Sequence, residues 1–393
     1  MMHEARWRQL ALLAVAQLLA MSVWFAGSVA LPAFRSGIPL TPAQVGWLTS
    51  AVQLGFVAGT LVAAVLNLPD IVPARWYVAA SALFAAVANA SLLVSDGFAP
   101  ALTSRLLTGV ALAGVYPPAM KMAATWFKDG RGLAIGAVVG ALTAGKALPY
   151  LLGGVHVSLD AAVLVPSGGA LFAALIVAAA YRDGPHAFPA RPFSWQLAGT
   201  VVRDPMLRRI SGGYFGHMWE LYAFWAWLPA FLAASAVASG HGEVSKLWSF
   251  ACIAIGALGC LWGGWAADRV GRPRVVRTAL MVSGACCLLS ALLFDAPFEM
   301  VIGLCLVWGI AVIADSAQFS ALVTEHAPPH AVGTALTLQT SLGFLLTIGS
   351  IQLLPVLASA VGWRWTMMVL ALGPALALRV FRRIDTIPPP RGT

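Results

Sequence analysis

His217 and Glu220 stand three residues apart in the run ISGGYFGHMWELYAFWAWLPAFL, residues 210–232. That spacing puts both on one face of a helix. The run is long enough to cross a bilayer, which takes about 20 residues. An ionisable group at such depth costs at least about 2.5 kcal/mol, so it must face protein or a water-filled cavity. Phe224 and Trp227 continue the face, and Tyr214, Trp219, Tyr222 and Trp225 spread polar-edged aromatics over the rest. Pro229 is expected to break the helix near its far end. A carboxylate in this setting can hold and release a proton beside an aromatic wall. The plainer reading is a packed helix whose glutamate is satisfied by its neighbours.

Other ionisable groups fall in apolar runs. Arg105, Lys121 and Lys146 lie in the first half of the chain, and Asp315 lies in the second, sharing a helix face with Gln318. Lys121 is placed to snorkel towards a membrane surface. Arg105 could equally serve in a gate, and Lys146 could pair with Glu220 or Asp315. Buried charges must be paired or neutralised. The economical reading is an anion held by Arg105 and Lys146, with a proton on Glu220 or Asp315. Tyr214, His217, Phe224, Gln318 and Gln339 complete the candidate binding residues. Thr340, Thr347, Gln17, Trp24 and Gln53 are weaker candidates, since interhelical hydrogen bonds explain most such groups.

The elements that position these groups follow from composition. Of the 393 residues, 60% are hydrophobic and 10% charged, with a mean hydropathy of +0.83. This is the profile of a polytopic all-α membrane protein. The net charge of +9 does not indicate nucleic acid, because the basic residues sit in short loops and not in a patch or tail. Cys252, Cys260, Cys286, Cys287 and Cys305 lie in apolar segments without ligand spacing, so packing thiols are expected, with neither disulfide nor metal. The start MMHEARWRQLALL leads into a long apolar span without a small-residue cleavage site, and reads as a first membrane helix.

Punctuation by Gly, Pro and charge predicts twelve spans: 9–33, 41–66, 75–95, 99–126, 131–154, 160–181, 208–235, 245–267, 276–294, 297–323, 331–357 and 364–381. The tandem Pro117-Pro118 is expected to kink the fourth. The Pro-rich, basic stretch between the sixth and seventh reads as a linker, dividing the chain into 1–182, 183–207 and 208–393. Lys and Arg gather on one side, from Arg6, Arg8 and Arg75 through Lys128, Arg131, Arg191, Arg208 and Arg209 to Arg382, Arg383 and Arg391. Opposite stand Arg35, Lys246 and Arg364. This asymmetry predicts an inner (cytoplasmic) membrane protein with both termini cytoplasmic.

The halves read as repeats. RLLTGVALAG from Arg105 parallels CLVWGIAVIA from Cys305, aligning Gly109 with Gly309 and Gly132 with Gly333. Internal repeats with a site between them are the usual build of secondary transporters. The sequence contains no H-E-x-x-H, G-x-S-x-G or phosphate loop, so an enzyme is not expected. No cofactor is expected either.

GGWAADRVGRPRVVR, from Gly263, carries Gly264, Asp268, Arg269, Gly271 and Arg272 as G-x-x-x-D-R-x-G-R, followed by Arg274. This resembles the loop signature of the major facilitator superfamily. The resemblance implies two pseudo-symmetric six-helix bundles, alternating access, and an inner gate latched by this loop. The first-half counterpart, LNLPDIVPARWYV, keeps Asp70 and Arg75 without the glycines. Helix 4, with Arg105, Gly109 and Gly114, looks like a family pattern whose arginine is tied to proton coupling or substrate. GAVVGALTAGKALPYLLGG is similar to the helix 5 motif of the antiporters but departs from it at Lys146. The expectation is a monomeric, proton-coupled transporter of a small anionic solute, with general similarity to the cyanate, nitrate and organic-acid branches. A drug/proton antiporter is the alternative, favoured by the aromatic wall.

Overall fold

A computed structural model describes residues 2–27, 40–127, 130–155, 157–186, 194–328 and 330–381. Among these, the long helices are α1 Met2–Met21, α2 Pro42–Val65, α3 Ala74–Ala90, α4 Phe98–Ala124, α5 Arg131–Gly154, α6 Leu159–Ala180, α7 Pro205–Ala238, α8 Lys246–Val270, α9 Arg272–Leu292, α10 Phe298–His326, α11 Val332–Val361 and α12 Trp363–Phe381. Eleven of the helical runs are long and apolar enough to cross a membrane; α1, whose first turns carry Glu4, Arg6 and Arg8, is the exception. The protein is an all-α polytopic membrane protein. Arg35, Lys128, Arg191, Arg382, Arg383 and Arg391, used above for orientation, lie outside the described residues.

Local chemistry sets the helix ends. Thr41 and Gln44 form a reciprocal capping box at α2, with Pro42 in the first turn. Asp204 accepts from the N–H groups of Met206 and Leu207 at 2.9 and 2.8 Å to start α7. The linker is not wholly irregular. Trp195–Arg203 is a helix whose Val201 is buried.

Three expectations need correction. Pro229 does not break α7, which continues to Ala238. Proline frees the carbonyl four residues earlier, that of Trp225, and the Tyr150 hydroxyl donates to it at 3.0 Å. Pro355 in α11 is handled alike: the freed Ile351 carbonyl accepts from Trp227 Nε1 at 2.9 Å. Neighbouring donors of this kind are what let a membrane helix keep its proline. Second, the first helix ends at Met21 rather than running on unbroken; Ser22–Phe25 form turns. Third, the glycine-rich signature is mostly helix. Gly264, Asp268 and Arg269 belong to α8, and the turn is Gly271 alone, at φ 89°.

The first six helices pack mainly on one another, as do the last six, and α2–α11 and α5–α8 join the two sets. Small residues make these approaches close. On α8, Gly264 lies against the Gly132 carbonyl of α5 and Gly263 against the Ala314 carbonyl of α10. The repeat is visible in register. Gly59 packs on the Val110 carbonyl, and Gly259, 200 positions later, on that of Ile310. Gly109 packs on the Val52 carbonyl, and Gly309 on that of Cys252, at the same offset. The interruption of α4 ends at Val115, and α10 is interrupted at Asp315. Pro117 and Pro118, in the turn restarting at Tyr116, account for the first break.

Candidate substrate site

Lys146 lies on α5 where the two halves meet. Its ammonium sits 3.6 Å from the Trp24 ring centre, 4.4 Å from that of Tyr222 and 5.5 Å from that of Trp225. Nζ donates to the Tyr222 hydroxyl. Phe56 and Phe344 close the box, their rings 4.4 Å apart and each against Trp24, at 5.4 and 5.7 Å. Trp24, Phe56 and Lys146 come from the first half; Tyr222, Trp225 and Phe344 come from the second. All six are buried. Among the described residues no carboxylate lies within ion-pair distance of Lys146. The arrangement can hold a cation by ring faces and offers that cation to an anion.

Arg105 does different work. It donates to the Val23 carbonyl at 3.1 Å, to the Trp24 carbonyl and to Asn89 Oδ1 at 2.9 Å. The carbonyls released where α1 ends are thereby satisfied, and Gly27 packs against the same guanidinium. Arg105 is thus engaged by backbone and by Asn89, whereas Lys146 meets ring faces and the Tyr222 hydroxyl.

The acids lie within the second half. Glu220 accepts from Trp308 Nε1 at 2.6 Å, Ser283 Oγ at 3.0 Å and Cys287 Sγ at 3.3 Å. His217 Nδ1 approaches Asp315 Oδ1 to 2.8 Å, an ion-pair contact without an aligned hydrogen bond. Phe224 stacks on Trp308 at 4.5 Å. The face His217–Glu220–Phe224 thus looks towards α9 and α10, while Tyr222 and Trp225 look across to the first half. Two hundred residues earlier, Gln17 and Val115 stand where His217 and Asp315 do, and they line a void of about 10 Å³.

The remaining candidates scatter. Tyr214 packs edge-on to Phe319 at 5.9 Å. Gln339 is buried with both amide atoms unpartnered. Gln318 accepts from Arg272 Nη1 at 2.8 Å, so it belongs with the signature and not with the box. Arg272 Nε also donates to Glu325 at 2.6 Å, Arg269 lies 3.9 Å from the centre of the Trp265 ring, and the Asp268 carboxylate covers Gly132 at the start of α5. Lys121 is half-buried.

Phe56, Tyr222, Trp225 and Phe344 were not among the binding residues expected from sequence, and Trp24 was only a weaker candidate. The signal available was Tyr222 and Trp225, three apart on the helix face opposite His217 and Glu220. Spacing alone does not say which face looks across the halves.

A many-helix membrane fold, with a buried polar site assembled from both halves of a duplicated chain, defines a secondary transporter with an architecture capable of alternating access. Its biochemistry is transport and not enzymatic turnover. The chain belongs to the Major Facilitator Superfamily, whose model matches residues 13–350 and, in a second match, 213–393. Among solved structures it resembles a bacterial homologue of the human lysosomal transporter Spinster, in an inward-facing and unoccupied conformation. The TM-score is 0.68 and the identity 16%, over 96% of each chain. At that identity the likeness shows the fold alone, and it does not favour the cyanate, nitrate or organic-acid branches. No curated protein matches the sequence.

Proposed function

We propose that this transporter moves a small anionic solute across the cytoplasmic membrane, coupled to protons. It does so as a monomer of two six-helix bundles, residues 1–182 and 208–393, joined by the linker 183–207, with twelve spans and both termini cytoplasmic. The observation that carries the anion is Lys146, a lysine with no carboxylate beside it among the described residues, on the seam that alternating access must open. Substrate sites in such folds lie at the interface of the repeats. An anion there would complete the charge that the box leaves open. Gln339, His217 and Tyr214 are proposed as outlying polar groups on the route. Glu220 and Asp315 remain candidates for the proton, acting from within the second half. The signature residues Gly264, Asp268, Arg269, Gly271 and Arg272 are proposed as the latch of the inner gate.

The aromatic box favours a second reading, export of lipophilic cations in exchange for protons; Lys146 weighs against it. A thermal-shift titration of purified protein with benzenesulfonate, nitrate and tetraphenylphosphonium, at pH 5.5 and 7.5, separates the two. Only a ligand of the folded state stabilises it, by about 2.7 kcal/mol at a hundred times Kd. Stabilisation by either anion, stronger at pH 5.5, is expected. Stabilisation by tetraphenylphosphonium alone, or by none of the three, overturns the anion reading.

A further inference from the structure

We infer that Lys146 is itself the proton carrier: its amine takes up a proton together with the anion and gives it up with the anion on the other side. This rests on the anion reading above.

Placement is the first argument. Alternating access opens and closes the seam between the halves. Lys146 is on that seam, bonded through Tyr222 and faced by Trp24 and Trp225. Glu220 is bonded inside the second half, to groups on α9 and α10, and Asp315 stands against His217 of α7. A rigid-body movement of one half against the other changes the surroundings of the lysine, whereas the bonded partners of Glu220 and the His217 beside Asp315 travel with the acids.

The partner is the second argument. As an ammonium, Lys146 donates to the Tyr222 oxygen. As an amine it presents a lone pair, to which the same phenol donates. Tyr222 satisfies both protonation states without movement, and the ring faces accommodate both the charged and the neutral group.

Charge is the third argument. Among the described residues no carboxylate pairs with Lys146; of the helices packed on α5, α10 carries Asp315, which His217 Nδ1 approaches at 2.8 Å. From α7 come Tyr222 and Trp225, and from α5 itself Tyr150, whose hydroxyl is engaged by Trp225. From α4 comes Tyr116, at the restart of that helix. From α8 comes Cys260, 3.8 Å from Thr143, one turn before Lys146. From α6 there is only Asp160, in its first turn. Behind Trp24 stands Arg105, a second cation, on the carbonyl of the residue whose ring faces Lys146. A desolvated ammonium in such company lacks a counter-ion, and the substrate anion is what supplies it. Anion and proton therefore enhance each other's binding, and by linkage the enhancement is reciprocal. The proton comes from water on the open side onto the Nζ lone pair. The loaded site carries the anion's charge balanced by the ammonium, and the proton leaves to water after the anion departs. No bond other than N–H is made or broken.

The test uses the full chain in detergent, weakly buffered at pH 7.5, with a pH indicator and benzenesulfonate, an anion that stays ionised throughout. Wild type is expected to take up protons as the anion binds, to at most one per anion, the limit that linkage sets for one titrating group. Lys146→Arg, whose guanidinium stays charged, is expected to bind without proton uptake. Binding by wild type without proton uptake overturns the inference, whatever the variants do. So does uptake by Lys146→Arg equal to wild type. Glu220→Gln and Asp315→Asn test the competing carriers: loss of uptake in either, with anion binding intact, moves the proton to that acid. If benzenesulfonate does not bind and tetraphenylphosphonium does, it is the anion reading that fails.

Discussion

Lys146 holds its ammonium 3.6 Å from the centre of the Trp24 indole, and the backbone carbonyl of the same tryptophan accepts from Arg105. One residue in the turn just past α1 thus receives two cations, by ring from α5 and by backbone from α4. It can do so because α1 stops at Met21, which frees the carbonyls of Val23 and Trp24 from the helical ladder. The two cations have separate duties. Arg105 is committed to backbone and to Asn89, whereas Lys146 has one hydroxyl and several ring faces.

Arg105→Met should therefore act on stability and not on ligand preference. It orphans two buried carbonyls and Asn89 Oδ1, at about 1–3 kcal/mol for each group left unsatisfied. Thermal unfolding is expected at a clearly lower temperature than wild type. Whichever of benzenesulfonate and tetraphenylphosphonium stabilises wild type should stabilise the variant as well. A reversal of that preference would put Arg105 in the site.

The box predicts a ranking. Tyr222→Phe keeps the ring and removes the hydroxyl that bonds Lys146. A hydrogen bond to a charged group contributes about 1.5–3 kcal/mol, so anion affinity should fall roughly tenfold or more. Trp24→Phe keeps a face over the ammonium and weakens only the cation–π contact, by about 0.5–1 kcal/mol. Titration of each purified variant with benzenesulfonate should place Tyr222→Phe as the weaker binder.

Tyr150 and Pro229 should be coupled. In wild type the Tyr150 hydroxyl satisfies the Trp225 carbonyl that Pro229 leaves free. Tyr150→Phe orphans that carbonyl, at about 1–3 kcal/mol. With Pro229→Ala, an N–H is restored to the carbonyl and the tyrosine is no longer needed there. A double-mutant cycle on unfolding temperature should find Tyr150→Phe less damaging in the Pro229→Ala background. Strict additivity would mean that the two residues act independently.

Much of this was legible in sequence because a bilayer leaves few choices. Span positions followed from hydropathy and from the need to satisfy every backbone group internally. Pro117 and Pro118 announced the break in α4. What spacing could not give was the direction in which a face looks. His217, Glu220 and Phe224 share a face as expected, but it turns into the second half, while Tyr222 and Trp225 meet Lys146. The assumption that Pro229 ends a helix failed for a tertiary reason: its cost is removed by a tyrosine 79 positions earlier in the chain. Gln318 was read with Asp315 on one face, and spacing did not reveal that Arg272 donates to it. In each case a contact between distant segments decided the outcome.

The duplication makes the last prediction. Gly59 and Gly259 occupy the same place in the two halves, each under the carbonyl of a residue 51 positions later, Val110 and Ile310. A methyl at either would drive into that backbone oxygen, and backbone cannot step aside as a flexible side chain can. Overpacking of this sort costs about 1–3 kcal/mol. Gly59→Ala and Gly259→Ala should therefore lower the unfolding temperature by similar amounts. Gly303→Ala and Gly349→Ala, where a Cβ meets nothing within 4 Å, should leave it unchanged or raise it, since alanine favours the helix by about 1 kcal/mol. A large difference between the first two would mean that the halves have diverged in packing as they have in charge. Equal losses would mean that the backbone repeat was kept while the second half alone acquired His217, Glu220 and Asp315.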